Sequence, residues 1–76
     1  MSDQTIAKRW GLAIRRQREL RKMSVADLAE AVGVSRPTVY DWEAGKAAPL
    51  ADRHVAIAGA LGIHPQNLFT YPEAAA

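Results

Sequence analysis

The residues of this 76-residue chain whose types and spacing could do chemistry cluster between Ser24 and Glu43. On a helix through this stretch, Arg36 and Tyr40 stack at i and i+4, as do Pro37 and Asp41, with Thr38 at the flank. The result is one polar face close to a helix N-terminus. A guanidinium such as that of Arg36 can pair both N7 and O6 of guanine, a contact worth roughly 1–3 kcal/mol of discrimination, and it equally suits a phosphate. Asp41 would be repelled by phosphates. It is an acceptor for a cytosine N4 amine, a brake against wrong bases, or a group that orients Arg36 or Tyr40. Thr38 could offer its methyl to thymine or its hydroxyl to a phosphate, and Tyr40 could donate to a phosphate. Catalysis has little comparable support: there is no cysteine nucleophile, no glycine-rich phosphate loop, and no Ser, His and acid grouping of defensible spacing. Ser24 and Ser35 are better explained as helix caps.

Positioning that face requires helices, and the apolar spacing predicts them. From about Thr5 to Lys22, Ile6, Trp10, Ala13 and Ile14 form one stripe. Ser24, with Asp27 three positions on, has the composition of a capping box for a second helix, which runs to about Val32 with Val25, Leu28, Ala29 and Val32 inward. Gly33 can turn the chain sharply, Val34 fills the corner, and Ser35 caps a third helix from about Arg36 to Ala44, ending at Gly45. Pro37 is tolerated in its first turn. Two short capped helices separated by three residues, glycine first, predict a helix-turn-helix geometry. A fourth helix is expected over Ala51 to Leu61, with Val55, Ile57, Ala58 and Leu61 as its apolar set and Gly59 marking a close approach by another helix. His64 and Pro65 open a last short helix that carries Leu68 and Phe69. The expectation is a single all-α domain over residues 1–76, five helices, with 1–4 and 73–76 frayed.

The net charge of +2 is small, but it is unevenly distributed. Residues 1–22 hold Lys8, Arg9, Arg15, Arg16, Arg18, Arg21 and Lys22 against Asp3 and Glu19, whereas the remainder is net acidic. Such a gradient orients a molecule in the field of a polyanion, although a solvated basic helix face has the same composition. With no cysteine, stability must come from burial rather than disulfides or thiolate-bound zinc, and a reducing compartment fits. No stretch approaches the roughly 20 apolar residues of a membrane span.

The segment SVADLAEAVGVSRPTVYDWE, residues 24–43, resembles the Cro and lambda-repressor type of helix-turn-helix, the xenobiotic-response-element family. The likeness extends outward to Arg18, the loop WEAGKAAP and the closing run ALGIHPQNLF. It implies a compact five-helix, lambda-repressor-like fold whose third helix enters a DNA major groove. Arg36 sits where that family places its first base-reading side chain, with Pro37, Thr38, Tyr40 and Asp41 beside it. The resemblance also implies phosphate contacts from Arg15, Arg18, Ser35 and Lys46, a pairing of Arg18 with Glu43, and a scaffold of Ala29, Gly33, Val39 and Trp42. Three departures stand out. Val25 occupies a position where glutamine often braces the first reader. Ala47 and Ala48 replace a second loop base. His54 stands near a commonly aliphatic position, as a partly buried packing residue rather than a pH switch or metal ligand.

The expected function is a sequence-specific regulator of transcription, of the Cro-like repressor or controller kind. It would act in a bacterial or phage-encoded cytoplasmic setting and bind an inverted repeat as a homodimer, with no cofactor or metal. Ile63, Leu68, Phe69 and Tyr71 are the apolar residues left for a dimer surface, or else they cap the small core. The alternative is a protein-interaction module on the same fold.

Overall fold

Helix boundaries follow the capping chemistry. The computed structural model describes residues 3–69, with side chains from residue 6 onward. Among these residues there are five helices and no strand: α1 (Asp3–Leu20), α2 (Val25–Val32), α3 (Arg36–Ala44), α4 (Ala51–Leu61) and α5 (Pro65–Leu68). Ser24 accepts the Asp27 amide at 2.9 Å while the Asp27 carboxylate accepts the Ser24 amide at 3.1 Å, so the expected capping box forms. Ser35 accepts the Thr38 amide at 3.4 Å. Gly33, which ends α2, has φ 82°, a left-handed conformation that a side chain would strain.

Helix α1 stops two residues before the expected Lys22. Lys22 itself is left-handed (φ 55°), and the Met23 amide closes back on the Arg18 carbonyl at 3.0 Å. Glycine usually fills this cap, and a lysine there leaves no mark in the sequence.

Packing places α3 against both α1 and α2, α4 against α2, and α5 against α4 and α1. The core comprises Ile14, Leu28, Ala29, Val32, Val39, Trp42, Ile57, Ala58, Leu61, Leu68 and Phe69. Several expectations need correcting. In α1, Ile6, Trp10 and Ala13 are only half-buried, whereas Ala7, Gly11 and Ile14 are buried. In α4, Val55 is 71% exposed because the inward phase is set by His54, Ile57, Ala58 and Leu61, and position 55 falls outside that stripe. Among the described residues Gly59 meets nothing where a Cβ would stand, so none of the other described helices approaches it.

His54 is buried, with 5% of its surface exposed, rather than partly buried. Its Nε2–H donates to the Pro49 carbonyl at 3.0 Å, and its ring stacks on Phe69 at 4.0 Å between centroids, with Trp10 edge-on to both. The cluster joins α1, the α3–α4 loop, α4 and the chain after α5. It uses up Phe69, and Leu68 is buried beside it, so neither residue presents a surface to a second chain. Ile63 is half-buried, and Tyr71 lies outside the described residues.

Candidate nucleic-acid interface

The rear of α3 is anchored by Val39 and Trp42, which are buried against α1 and α2 together with the small Ala29. Anchoring one face aims the other outward. Arg36, Pro37, Tyr40 and Asp41 are exposed along it, next to the amino end capped by Ser35. Thr38 is half-buried, and its hydroxyl lies 2.9 Å from that of Ser35, so both hydroxyls belong first to the helix cap. Among the described residues no hydrogen bond or ion pair engages the side chain of Arg36 or Asp41. The bracing of Arg36 by Asp41 or Tyr40, left open by the sequence, is not formed in this structure. The guanidinium stands in solvent with all its donors available.

The angle of α3 is set by contacts far apart in sequence. Arg18 donates from Nε to Glu43 Oε2 at 2.7 Å and from Nη2 to Oε1 at 2.9 Å, a two-pronged pairing, and from Nη1 to the Met23 carbonyl at 2.9 Å. Their side chains are only 13% and 9% exposed, well below a surface ion pair. The hydrogen bonds that Arg18 donates to Glu43 hold its guanidinium above its already high ordinary range, so the charge is permanent. One arginine thereby ties α1, the α1–α2 turn and the end of α3 together.

The sequence reading missed Gly11. A Cβ there would overlap the Trp42 carbonyl oxygen and approach the Glu43 carbonyl oxygen and carbon at 3.0 and 3.1 Å. Only hydrogen lets α1 lie directly on the backbone of the α3 C-terminus, about two helical turns before Arg18 makes its clamp. An unexplained glycine inside an amphipathic helix was the available signal. Gly45 closes α3 with φ 74° and abuts Lys8 of α1, a second reason for glycine at that exit.

The remaining cations lie around this framework. Lys46 is exposed in the loop after α3. Arg15 is exposed on α1 and pairs loosely with Glu19 at 3.5 Å. Arg15, Arg18, Tyr40, Glu43 and Ala44 line an open groove of about 320 Å³ between α1 and α3, beside the outward face. The arrangement offers unpaired donors on a rigid helix, with cations at its margins, and no enclosed cavity for a small substrate among those features.

Comparison with known proteins agrees with this geometry. No curated protein sequence matches the chain significantly. The structure is similar to that of the restriction-modification controller protein C.AhdI from Aeromonas hydrophila, with 28% identity, coverage of 83% of this chain and 96% of that one, and a TM-score of 0.79. It is also similar in fold to the clp gene regulator ClgR from C. glutamicum, at 23% identity, 86% and 84% coverage and a TM-score of 0.80. A helix-turn-helix family model matches residues 14–68, from the middle of α1 to the end of α5, and the chain belongs to that helix-turn-helix family.

Proposed function

We propose that this helix-turn-helix protein is a transcriptional regulator that reads an inverted-repeat operator as a homodimer, with α3 of each copy in a major groove. The observation that carries the reading is the outward face of α3: Arg36 exposed and unpaired at the helix start, on an element whose rear is buried and whose far end is clamped by Arg18 and Glu43. A reading helix held in this way loses little backbone freedom on binding, and only the side chains on its face have to be ordered. Arg36, with Pro37 and Asp41, faces base edges; Ser35, Arg15, Arg18 and Lys46 serve the backbone. The controller C.AhdI, similar in sequence as well as fold, supports a regulatory role.

Two copies are proposed because one reading helix spans too few base pairs to select a genomic site, and a twofold axis places two of them one DNA turn apart, roughly 34 Å. The burial of Leu68 and Phe69 argues against a dimer surface built on them, and the exposed Val55 and open Gly59 support one on the outer side of α4 instead. Among the described residues no helix is long and apolar enough to cross a membrane.

Selection of bound duplexes from a random pool tests the proposal, with wild type and Arg36→Ala in parallel. Wild type should enrich an inverted repeat, and the variant should lose preference at one symmetric pair of positions. Equal weakening for all sequences would make Arg36 a phosphate contact, and no duplex binding even at low salt would leave a protein-interaction module.

A further inference from the structure

We propose that Glu19 competes with DNA phosphate for Arg15, and that the released Arg15 and the Tyr40 hydroxyl together grip one backbone phosphate in the groove between α1 and α3. This rests on the DNA-binding reading above and assigns Glu19 a role as a built-in brake on affinity.

The groove sits at the flank of the reading face, because Tyr40 lies one helical turn after Arg36 on α3. Its charges do not contribute equally. Glu43 is fully engaged by the two-pronged bond from Arg18, and Arg18 spends its Nε and one donor on each terminal nitrogen on Glu43 and the Met23 carbonyl. Arg15, held by a single contact at 3.5 Å, is therefore the less committed cation of the groove. Tyr40 is 58% exposed, and its hydroxyl has no hydrogen-bond partner among the described residues. A phosphodiester carries one negative charge shared by two outward oxygens, which a guanidinium and a phenol on opposite walls of a groove can both reach.

Glu19 stands in the way of this grip. It touches Arg15 through Nε alone, at 3.5 Å, with both side chains more than half exposed. It does not line the α1–α3 groove; it lines a separate hollow with Arg16 and Leu20 on the outer side of α1. Arg15 therefore lines the groove while its Nε is held by a carboxylate outside that groove. A single long contact in solvent is weak enough for a phosphate to displace, and strong enough to lower the fraction of Arg15 that is ready.

A double-mutant cycle tests this, with Glu19→Gln, Arg15→Gln and the pair titrated against random-sequence and selected duplexes at several salt concentrations. Glu19→Gln should tighten binding by about twofold to fivefold, an effect that disappears when Arg15 is already glutamine. Arg15→Gln should lower the slope of log affinity against log salt by about one. Tyr40→Phe should weaken random and selected duplexes by the same factor, as loss of a backbone contact would. All three side chains are more than half exposed, so folding should be unaffected, which unchanged thermal midpoints will verify. If Glu19→Gln tightens binding equally with and without Arg15, Glu19 acts only by general repulsion and the proposal is overturned. A cycle with no coupling while wild type binds DNA sinks this inference alone; absence of DNA binding by wild type sinks it together with the DNA-binding reading.

Discussion

Two helical glycines should respond in opposite ways to the same added methyl group. Gly11→Ala and Gly59→Ala both place a better helix former in a helix interior, a local gain of about 1 kcal/mol in each case. At Gly59 none of the described residues beyond its own helix turn lies within 4 Å of the new Cβ, so the gain should survive and raise the thermal midpoint by roughly 4–8 °C. At Gly11 the new atom would overlap the Trp42 carbonyl and crowd that of Glu43. These are backbone atoms of a capped helix and cannot rotate aside, so α1 and α3 must separate. Overpacking of this kind costs typically about 1–3 kcal/mol, and a helix-on-helix contact belongs at the upper end. After the local gain is subtracted, Gly11→Ala should lose about 2 kcal/mol, a fall of roughly 8–16 °C for a domain of this size. Urea unfolding followed by far-ultraviolet circular dichroism measures both variants on one scale, at low protein concentration so that association does not contribute. Separation of the helices also opens the Arg18–Glu43 clamp, so DNA affinity should fall even where the variant remains folded. A Gly11→Ala protein as stable as wild type would refute the close-packed α1–α3 contact. A destabilised Gly59→Ala monomer would show that the outer side of α4 is not open.

Glu43→Ala should cost about 1–3 kcal/mol in the same unfolding assay, since it strands a nearly buried guanidinium that keeps only the Met23 carbonyl; a change under a few tenths would class the clamp with ordinary surface pairs. Ser24→Ala should lose about 1 kcal/mol through its cap. The Ser24 amide and hydroxyl hold the Asp27 carboxyl below its ordinary range. Its folded value thus lies below the unfolded one, and its contribution is present above the ordinary carboxylate range and fades as pH falls through the folded value. Stability curves of wild type and Asp27→Asn should therefore converge in acid and separate towards neutral pH; a constant gap would remove Asp27 from the acid response.

What the amino-acid order determined by itself was everything settled within about four residues. Ser24 with Asp27, Ser35, Gly33, Gly45 and Gly62 place three of the helices almost to the residue, because a cap or a left-handed turn is chosen by local hydrogen bonds and sterics. The outward face of α3 was legible for the same reason, since four residues at helical spacing decide it. Lys22 shows the limit even of local reading, because its left-handed cap uses a residue type that does not announce one.

Only the tertiary structure decided which glycine lies under a neighbouring helix, which apolar residues of α4 and the chain beyond it face inward, and how α3 is aimed. Gly11 and Gly59 are alike in sequence terms, and their difference comes from α3 crossing one and leaving the other bare. Polar His54 takes a core position that pattern reading gave to Val55, because a carbonyl at Pro49 satisfies its ring nitrogen and Phe69 covers its face. Arg18 and Glu43 are 25 residues apart, and the family resemblance could suggest their pairing but not its two-pronged geometry or burial. Such outcomes depend on the summed packing of several helices at once, which no short window of sequence contains.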